Sequence, residues 1–204
     1  MDQITIIDYG VGNLASLENA FRYLRVPVLV TSEKRRIADA KKLLLPGVGA
    51  FAPAMEKLRE MSITDLIKEK VDQGTPLLGI CLGMQLLFTK SYEQGEWDGL
   101  NLIPGEVVRF QGERKIPHMG WNRLEFQGTD RIIQGLPEEA YVYFVHSYYC
   151  IPETREMTIA TCSYGERFAA AVRNHNVRGL QFHPEKSQDI GLGMLRNFAA
   201  NGER

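Results

Sequence analysis

The sequence predicts an α/β fold: a mainly parallel, doubly wound central sheet with helices on both faces, followed by a strand-rich, partly antiparallel second half. Three observations carry this expectation. Over the first hundred residues, short apolar runs alternate with stretches whose apolar residues recur at spacings of three and four, the pattern of strand–helix–strand crossovers. The runs are continuously apolar, as strands buried on both faces are. From about residue 101 the helical spacing gives way to strand-like segments separated by turns.

Residues 3 to 8 form the first apolar run, closed by the glycine loop Tyr9-Gly10-Val11-Gly12-Asn13. Leu14, Leu17, Phe21 and Leu24 then line one face of a helix from about 14 to 25, with Asn13 placed to cap its start. Val28–Thr31, Lys42–Leu45 and Pro76–Ile80 read as further strands; the loop Pro46-Gly47-Val48-Gly49 and a helical stretch around 51 to 73 separate the last two. Right-handed crossovers between such strands place ligand sites beyond their carboxyl ends. In the second half, Val107–Phe110, Tyr141–Tyr149, Met157–Thr161, Phe168–Val172 and Gly179–Phe182 are strand-like, and Leu192, Leu195 and Phe198 mark a final helix from Gly191 to Ala200. Nothing resembling a linker, repeat or low-complexity tract divides the halves, so residues 1–204 read as one domain.

A chain of 204 residues with 44% apolar and 24% charged content is ordinary for a globular protein. It is long enough to bury a core without metal or disulfide support. Its 24 basic and 25 acidic residues give a net charge of -1, which removes the electrostatic footprint of a nucleic-acid or polybasic membrane binder. Cys81, Cys150 and Cys162 are too few for a disulfide scaffold and fit a reducing compartment. With no secretory pattern at the amino terminus and no apolar run near the roughly 18 residues of a membrane span, the chain reads as cytoplasmic.

The sharpest local feature is Gly79-Ile80-Cys81-Leu82-Gly83, where a buried strand meets the helical run Met84-Gln85-Leu86-Leu87-Phe88. It has the pattern of a nucleophile elbow: the nucleophile takes a strained backbone conformation, and a β-carbon at the flanking positions would strike neighbouring backbone. A helix amino terminus favours an anion, which predicts a partly ionised thiol at Cys81. Taken alone, Cys81 is equally readable as a small buried residue at a strand end.

The second feature is Gln181-Phe182-His183-Pro184-Glu185. On an extended segment, residues two apart face one side, so Glu185 can orient the His183 imidazole while its other nitrogen faces outward. Alone, the same text could be a turn with a surface ion pair. A cysteine, a histidine base and a carboxylate orienter together are an arrangement for acyl transfer. The loop 46–49 and the N–H of Leu82, directly after the nucleophile, are candidate donors to the oxyanion, though such a glycine loop is often only a turn. His118, His146 and His175 have no metal-ligand spacing with a nearby Cys or carboxylate. The loop after strand one lacks the third glycine of a dinucleotide fingerprint, and no phosphate-cradling lysine loop is present. No cofactor and no metal are expected.

With Cys81, His183 and Glu185 in this order, the chain resembles the class I, or triad, glutamine amidotransferases. Within them, the blocks Ile7–Leu14, Leu45–Phe51, Gly79–Gln85, His118–Asn122, Val145–Tyr148 and Gln181–Ser187 are similar to the glutaminase subunits of imidazole glycerol phosphate synthases. The C-L-G-x-Q and H-P-E texts are shared by many class I members, whereas D-Y-G-x-G-N, P-G-V-G-A-F and H-M-G-W-N are more specific. The resemblance implies a glutaminase that feeds ammonia to a separate β/α-barrel cyclase subunit in histidine biosynthesis. It implies that Cys81 attacks glutamine, His183 moves the protons, Glu185 holds the imidazole, and Val48 and Leu82 serve the oxyanion. Gly49, Gln85, Glu93, Ser147 and Tyr148 match positions that hold L-glutamine, and Asn13, Trp121, Asn122, Tyr143 and Lys186 match a cyclase-facing side. The competing readings are the glutaminase subunit of an anthranilate or aminodeoxychorismate synthase, and a catalytically silent regulatory module.

Overall fold

The computed structural model describes residues 2–200. In chain order it begins with β1 (Ile4–Ile7), α1 (Leu14–Tyr23), β2 (Val28–Thr31), α2 (Lys34–Ala38), β3 (Lys42–Leu45), α3 (Phe51–Glu60), α4 (Thr64–Asp72), β4 (Leu77–Ile80) and α5 (Leu82–Leu86). It continues through β5 (Phe88–Ser91), β6 (Trp97–Asp98), β7 (Ile103–Arg109), β8 (His118–Phe126), β9 (Ala140–His146), β10 (Tyr148–Pro152), β11 (Thr158–Tyr164), β12 (Glu166–Asn174), β13 (Val177–Leu180) and α6 (Gln188–Ala200).

The strands join in the order β2-β1-β3-β4-β13-β12-β10-β7-β5-β6, with β11, β8 and β9 branching from β12. The block β2-β1-β3-β4-β13 is parallel throughout. Beyond β13 most pairings are antiparallel, with β5–β7 a parallel exception. The sheet is therefore mixed, and its parallel block is the part that the alternating first half foretold.

Both faces of that block are buried, which explains its continuous apolar text. Ile4, Ile6, Leu44, Leu78 and Ile80 pack with Leu17, Phe21, Leu195 and Phe198 of α1 and α6. Their neighbours in the strands, Ile7, Leu43, Leu45 and Leu77, pack on the opposite face with Ile37, Met55, Leu58 and Ile67 of α2, α3 and α4. Successive strand residues point to opposite faces, so each strand feeds two cores.

Several boundaries differ from the sequence expectation. The stretch around 51 to 73 is two helices, because the chain turns through Ser62 at φ +51°. The run Met84–Phe88 does not continue as a helix: the carbonyls of Leu86, Leu87 and Phe88 accept the N–H groups of Leu100, Leu102 and Asn101, which draws the chain into β5. The segment Tyr141–Tyr149 is divided at Ser147, where β9 pairs with β8 and β10 turns to pair with β7 and β12. Helix α2 and strands β5, β6 and β8 were not foretold, and α6 begins at Gln188. Asn13 does occupy the N-cap position of α1, yet its side chain makes no capping bond. Among the described residues no helix is long and apolar enough to cross a membrane.

Candidate active site

The loops that follow β1, β3, β4 and β13 meet because these strands are parallel neighbours, with Leu45 paired to Gly79 and Ile80 to Leu180. Each chain leaves the sheet at the same edge, the place where an open α/β sheet collects ligand-binding loops. Cys81 follows β4 by one residue and His183 follows β13 by three. Residues about one hundred positions apart in sequence are thus brought together by sheet order alone.

Cys81 holds φ +54° and ψ -113°, a strained conformation for a side chain with a β-carbon. Its N–H donates to the Leu180 carbonyl at 2.7 Å, and its carbonyl accepts from Met84 and Gln85 in the first turn of α5. A β-carbon on Gly83 would lie 1.9 Å from the Leu45 carbonyl oxygen, and one on Gly79 would lie 2.7 Å from the Gly83 oxygen. The two glycines therefore let α5 seat directly on β3 and β4, as the elbow pattern requires.

His183 Nδ1 lies 2.9 Å from Glu185 Oε1, and both side chains are buried. The local geometry differs from the extended segment inferred from spacing: Pro184–Lys186 form a single 3-10 turn, which brings Glu185 back under the ring. Ser187 Oγ donates to the His183 carbonyl at 2.6 Å and accepts the Tyr143 N–H at 2.9 Å, while the His183 N–H donates to the Tyr143 carbonyl at 3.0 Å. With Nδ1–H on the carboxylate, Nε2 is the free nitrogen, buried and without a hydrogen-bond partner of good geometry. Burial acts to lower the imidazole pKa, but interaction with Cys81 and Glu185 outweighs it and raises the value to about 10. The site thus favours an imidazolium beside the sulfur.

A cavity of about 550 Å³ opens over these groups, lined by Val48, Gly49, Cys81, Leu82, Gln85, Glu93, Ser147, Tyr148 and His183, among others. The structure therefore brings together every residue expected to hold the substrate or the oxyanion, with Glu185 behind His183. The loop 46–49 lies against α5: a β-carbon on Gly47 would be 2.8 Å from the Gly83 nitrogen, and Tyr9 Oη donates to the Pro46 carbonyl at 2.7 Å. Gly49 takes φ +99°, open to glycine. Glu93 Oε2 accepts the Phe51 N–H at 2.9 Å, and burial pushes its carboxyl pKa up. Arg109 and His146 also line the cavity. Neither was foretold, since no motif marks an exposed arginine at a strand end.

Gln85 is more constrained than a simple wall residue. Its Nε2 donates to the Tyr148 carbonyl at 3.1 Å and to Gln181 Oε1 at 3.1 Å. The same Tyr148 carbonyl lies 2.8 Å from His146 Nδ1, so Nδ1 carries the proton and His146 Nε2 accepts. His118 Nδ1 then donates to His146 Nε2 at 3.1 Å, and Asn122 Nδ2 reaches His118 Nε2 at 3.3 Å. Burial holds His118 at a pKa of about 4 and His146 at about 3. Both are neutral, and one backbone carbonyl sets their tautomers.

Of the residues expected on a partner-facing side, Trp121 and Tyr143 pair across β8 and β9, with ring centroids 6.1 Å apart. Trp121 is 48% exposed and Met119 is 61% exposed, and Lys186, which ends the turn after His183, is exposed as well. Asn122 is tied inward, donating to the Ser163 carbonyl at 3.0 Å, and Asn13 is half-buried at the start of α1. Among the described residues no group of three or more His, Cys, Asp or Glu side chains is arranged to hold a metal ion.

An elbow cysteine, a carboxylate-oriented histidine and a glycine loop on this sheet define a class I glutamine amidotransferase. The family model of that description, glutamine amidotransferase class-I, matches residues 5–201. A solved glutamine amidotransferase shares the fold, with a TM-score of 0.76 at 21% identity over 96% of this chain and 98% of that one. Imidazole glycerol phosphate synthase subunit HisH of Syntrophotalea carbinolica is 50% identical over 202 residues, 96% of this chain and 98% of its own. The subunit of the same name from Aquifex aeolicus is 46% identical over 98% of this chain and 97% of its own. The chain belongs to the class I glutamine amidotransferases and, within them, to the HisH family.

Proposed function

We propose that this chain is the glutaminase subunit of an imidazole glycerol phosphate synthase: a single-domain cytoplasmic enzyme that hydrolyses L-glutamine and passes the ammonia to a separate β/α-barrel cyclase. The observation that carries this reading is the juxtaposition of Cys81 with a buried His183–Glu185 pair at the floor of a cavity.

Cys81 Sγ attacks the side-chain amide carbon of glutamine while His183 Nε2 holds the thiol proton. The tetrahedral oxyanion is met by the N–H of Leu82 and by the loop at Val48. His183 gives its proton to the amide nitrogen, the C–N bond breaks, ammonia leaves and a glutamyl thioester remains. A water that loses its proton to His183 then attacks the thioester, and glutamate leaves as the proton returns to the sulfur. Gly49, Gln85, Ser147 and Tyr148 supply walls for the substrate, and Glu93 and Arg109 complement the two charges of an amino acid.

Ammonia released into water at neutral pH is protonated and ceases to be a nucleophile. A glutaminase of this design is useful only when the acceptor site is reached through a shielded path, which supports a partner on another polypeptide. The exposed Met119 and Trp121, the half-buried Tyr143 and the exposed Lys186 form the surface on which it would sit, and Asn13 and Asn122 its edges. All three cysteines are free and buried, in keeping with a reducing cytoplasm.

The test is glutamate release by the purified chain, alone and with the cyclase and its ribonucleotide ligand. Low release alone, a large rise with the loaded cyclase and none in Cys81→Ala is the expected result. Release that ignores the cyclase would place the chain in another amidotransferase complex.

A further inference from the structure

The network around the thiol contains a residue that no step above uses. Gln181 is fully buried between β13 and His183, and its backbone N–H donates to the Ala170 carbonyl at 2.9 Å. Its side chain lies between Gln85 and Cys81: Oε1 accepts from Gln85 Nε2 at 3.1 Å, and Nε2 lies 4.0 Å from Cys81 Sγ.

The direction of this amide is settled by its surroundings. The Tyr148 carbonyl can only accept, so Gln85 must present its NH₂ group there, and the second N–H of that group points to Gln181. Gln181 must answer with its oxygen. Its own NH₂ group is thereby turned to the sulfur, and a buried N–H left without an acceptor is costly. An N–H aimed at a sulfur is a weak contact with a neutral thiol and a stronger, shorter one with a thiolate.

We propose that Gln181 is a further catalytic residue of the proposed glutaminase reaction: its amide, locked in orientation by Gln85, donates to Cys81 Sγ and stabilises the sulfur as an anion. The inference rests on the reading of Cys81 as the nucleophile. It divides the work at the sulfur: His183 takes the proton, and Gln181 supplies a fixed dipole that remains when His183 has passed the proton on. It also gives Gln85 a second task, since the residue that lines the substrate cavity is the one that sets the Gln181 amide.

The other ionisable groups facing Cys81 are Tyr9 after β1, Cys150 on β10, and His183 with Glu185, while His146 of β9 acts on His183. None of them is hydrogen-bonded to the Gln181 side chain, whose contacts are Gln85 and Cys81.

The experiment is the rate of Cys81 alkylation by iodoacetamide across pH, read by peptide mass on the full chain as wild type and Gln181→Met. Methionine fills a similar volume and has no N–H. The expected result is a pH midpoint higher by about one unit in the variant, so that alkylation below the wild-type midpoint is about tenfold slower, with the same plateau at high pH. A purely structural role would lower thermal stability or the plateau and leave the midpoint in place, and that outcome overturns the proposal. Should Gln181→Met fail to fold, Gln181→Leu carries the test: it adds no charge, offers no N–H, and must raise the midpoint as far. Alkylation needs no glutamine, so a chain that released no glutamate would still give this profile, and the two failures are distinguishable.

Discussion

The backbone of Tyr143 is joined directly to the turn that carries His183, its carbonyl accepting the His183 N–H at 3.0 Å. The opposite edge of the same strand pairs Tyr143 with Trp121, so one residue connects an exposed aromatic surface with the imidazole.

Ser187 closes this connection, taking the Tyr143 N–H and giving its hydroxyl to the His183 carbonyl. Ser187→Ala leaves a buried N–H without an acceptor, a loss of about 1–3 kcal/mol in chemical denaturation. Because the change loosens the base and leaves the cavity walls in place, glutaminase kcat should fall about tenfold, by about 1.4 kcal/mol in barrier, with KM little changed. A raised KM with kcat unchanged would show instead that Ser187 acts on substrate binding.

Glu185→Gln keeps the shape of the acceptor to His183 Nδ1 but removes its charge. Glutaminase activity should drop about a hundredfold or more, as it does where a neutral amide replaces a carboxylate orienter. The wild-type imidazole, raised to about 10, binds its proton more tightly in the folded chain than in the unfolded one. Its stabilisation is complete below the ordinary value of 6.5 and is lost as pH rises through about 10. Glu185→Gln should flatten that decline in unfolding free energy, and a histidine NMR titration should show the His183 value fall.

His118 and His146 act in the opposite sense. Their folded values of about 4 and about 3 lie below 6.5, so the unfolded chain binds more protons throughout that window. Stability must fall as pH drops from about 6.5 towards 4, by up to about 1.4 kcal/mol per pH unit for each histidine. Urea unfolding at steps of pH checks this, and His118→Asn should reduce the slope. An unchanged slope would mean that other groups govern acid unfolding.

Gly83→Ala tests the seating of α5. The new methyl would meet the Leu45 carbonyl oxygen at 1.9 Å, a contact that only a shift of α5 or β3 can relieve. The expected cost is about 3 kcal/mol or more, or loss of soluble protein, measured by thermal unfolding and expression yield. Gly74→Ala, where no atom lies within 4 Å but φ is +86°, should cost only about 1 kcal/mol, reporting strain without collision.

The amino-acid sequence by itself determined the parallel block, because strands buried on both faces leave continuous apolar text and the helices between them leave a clear period. It also determined the elbow, since two glycines around Cys81 have no cheaper explanation than the close backbone approach at Leu45 and within α5. What lay beyond it was decided by contacts distant in the chain. Leu86, Leu87 and Phe88 have helical text, but N–H groups from residues 100 to 102 claim their carbonyls. Tyr141 to Tyr149 read as one strand, but pairing with two different neighbours divides it at Ser147. His183 and Glu185 meet through a turn and not an extended segment. The direction of the Gln181 amide follows from the Tyr148 carbonyl through Gln85. Hydrophobic period is a local property and can be read residue by residue, whereas hydrogen-bond direction depends on which acceptor the fold places opposite each donor, and only the assembled sheet decides that.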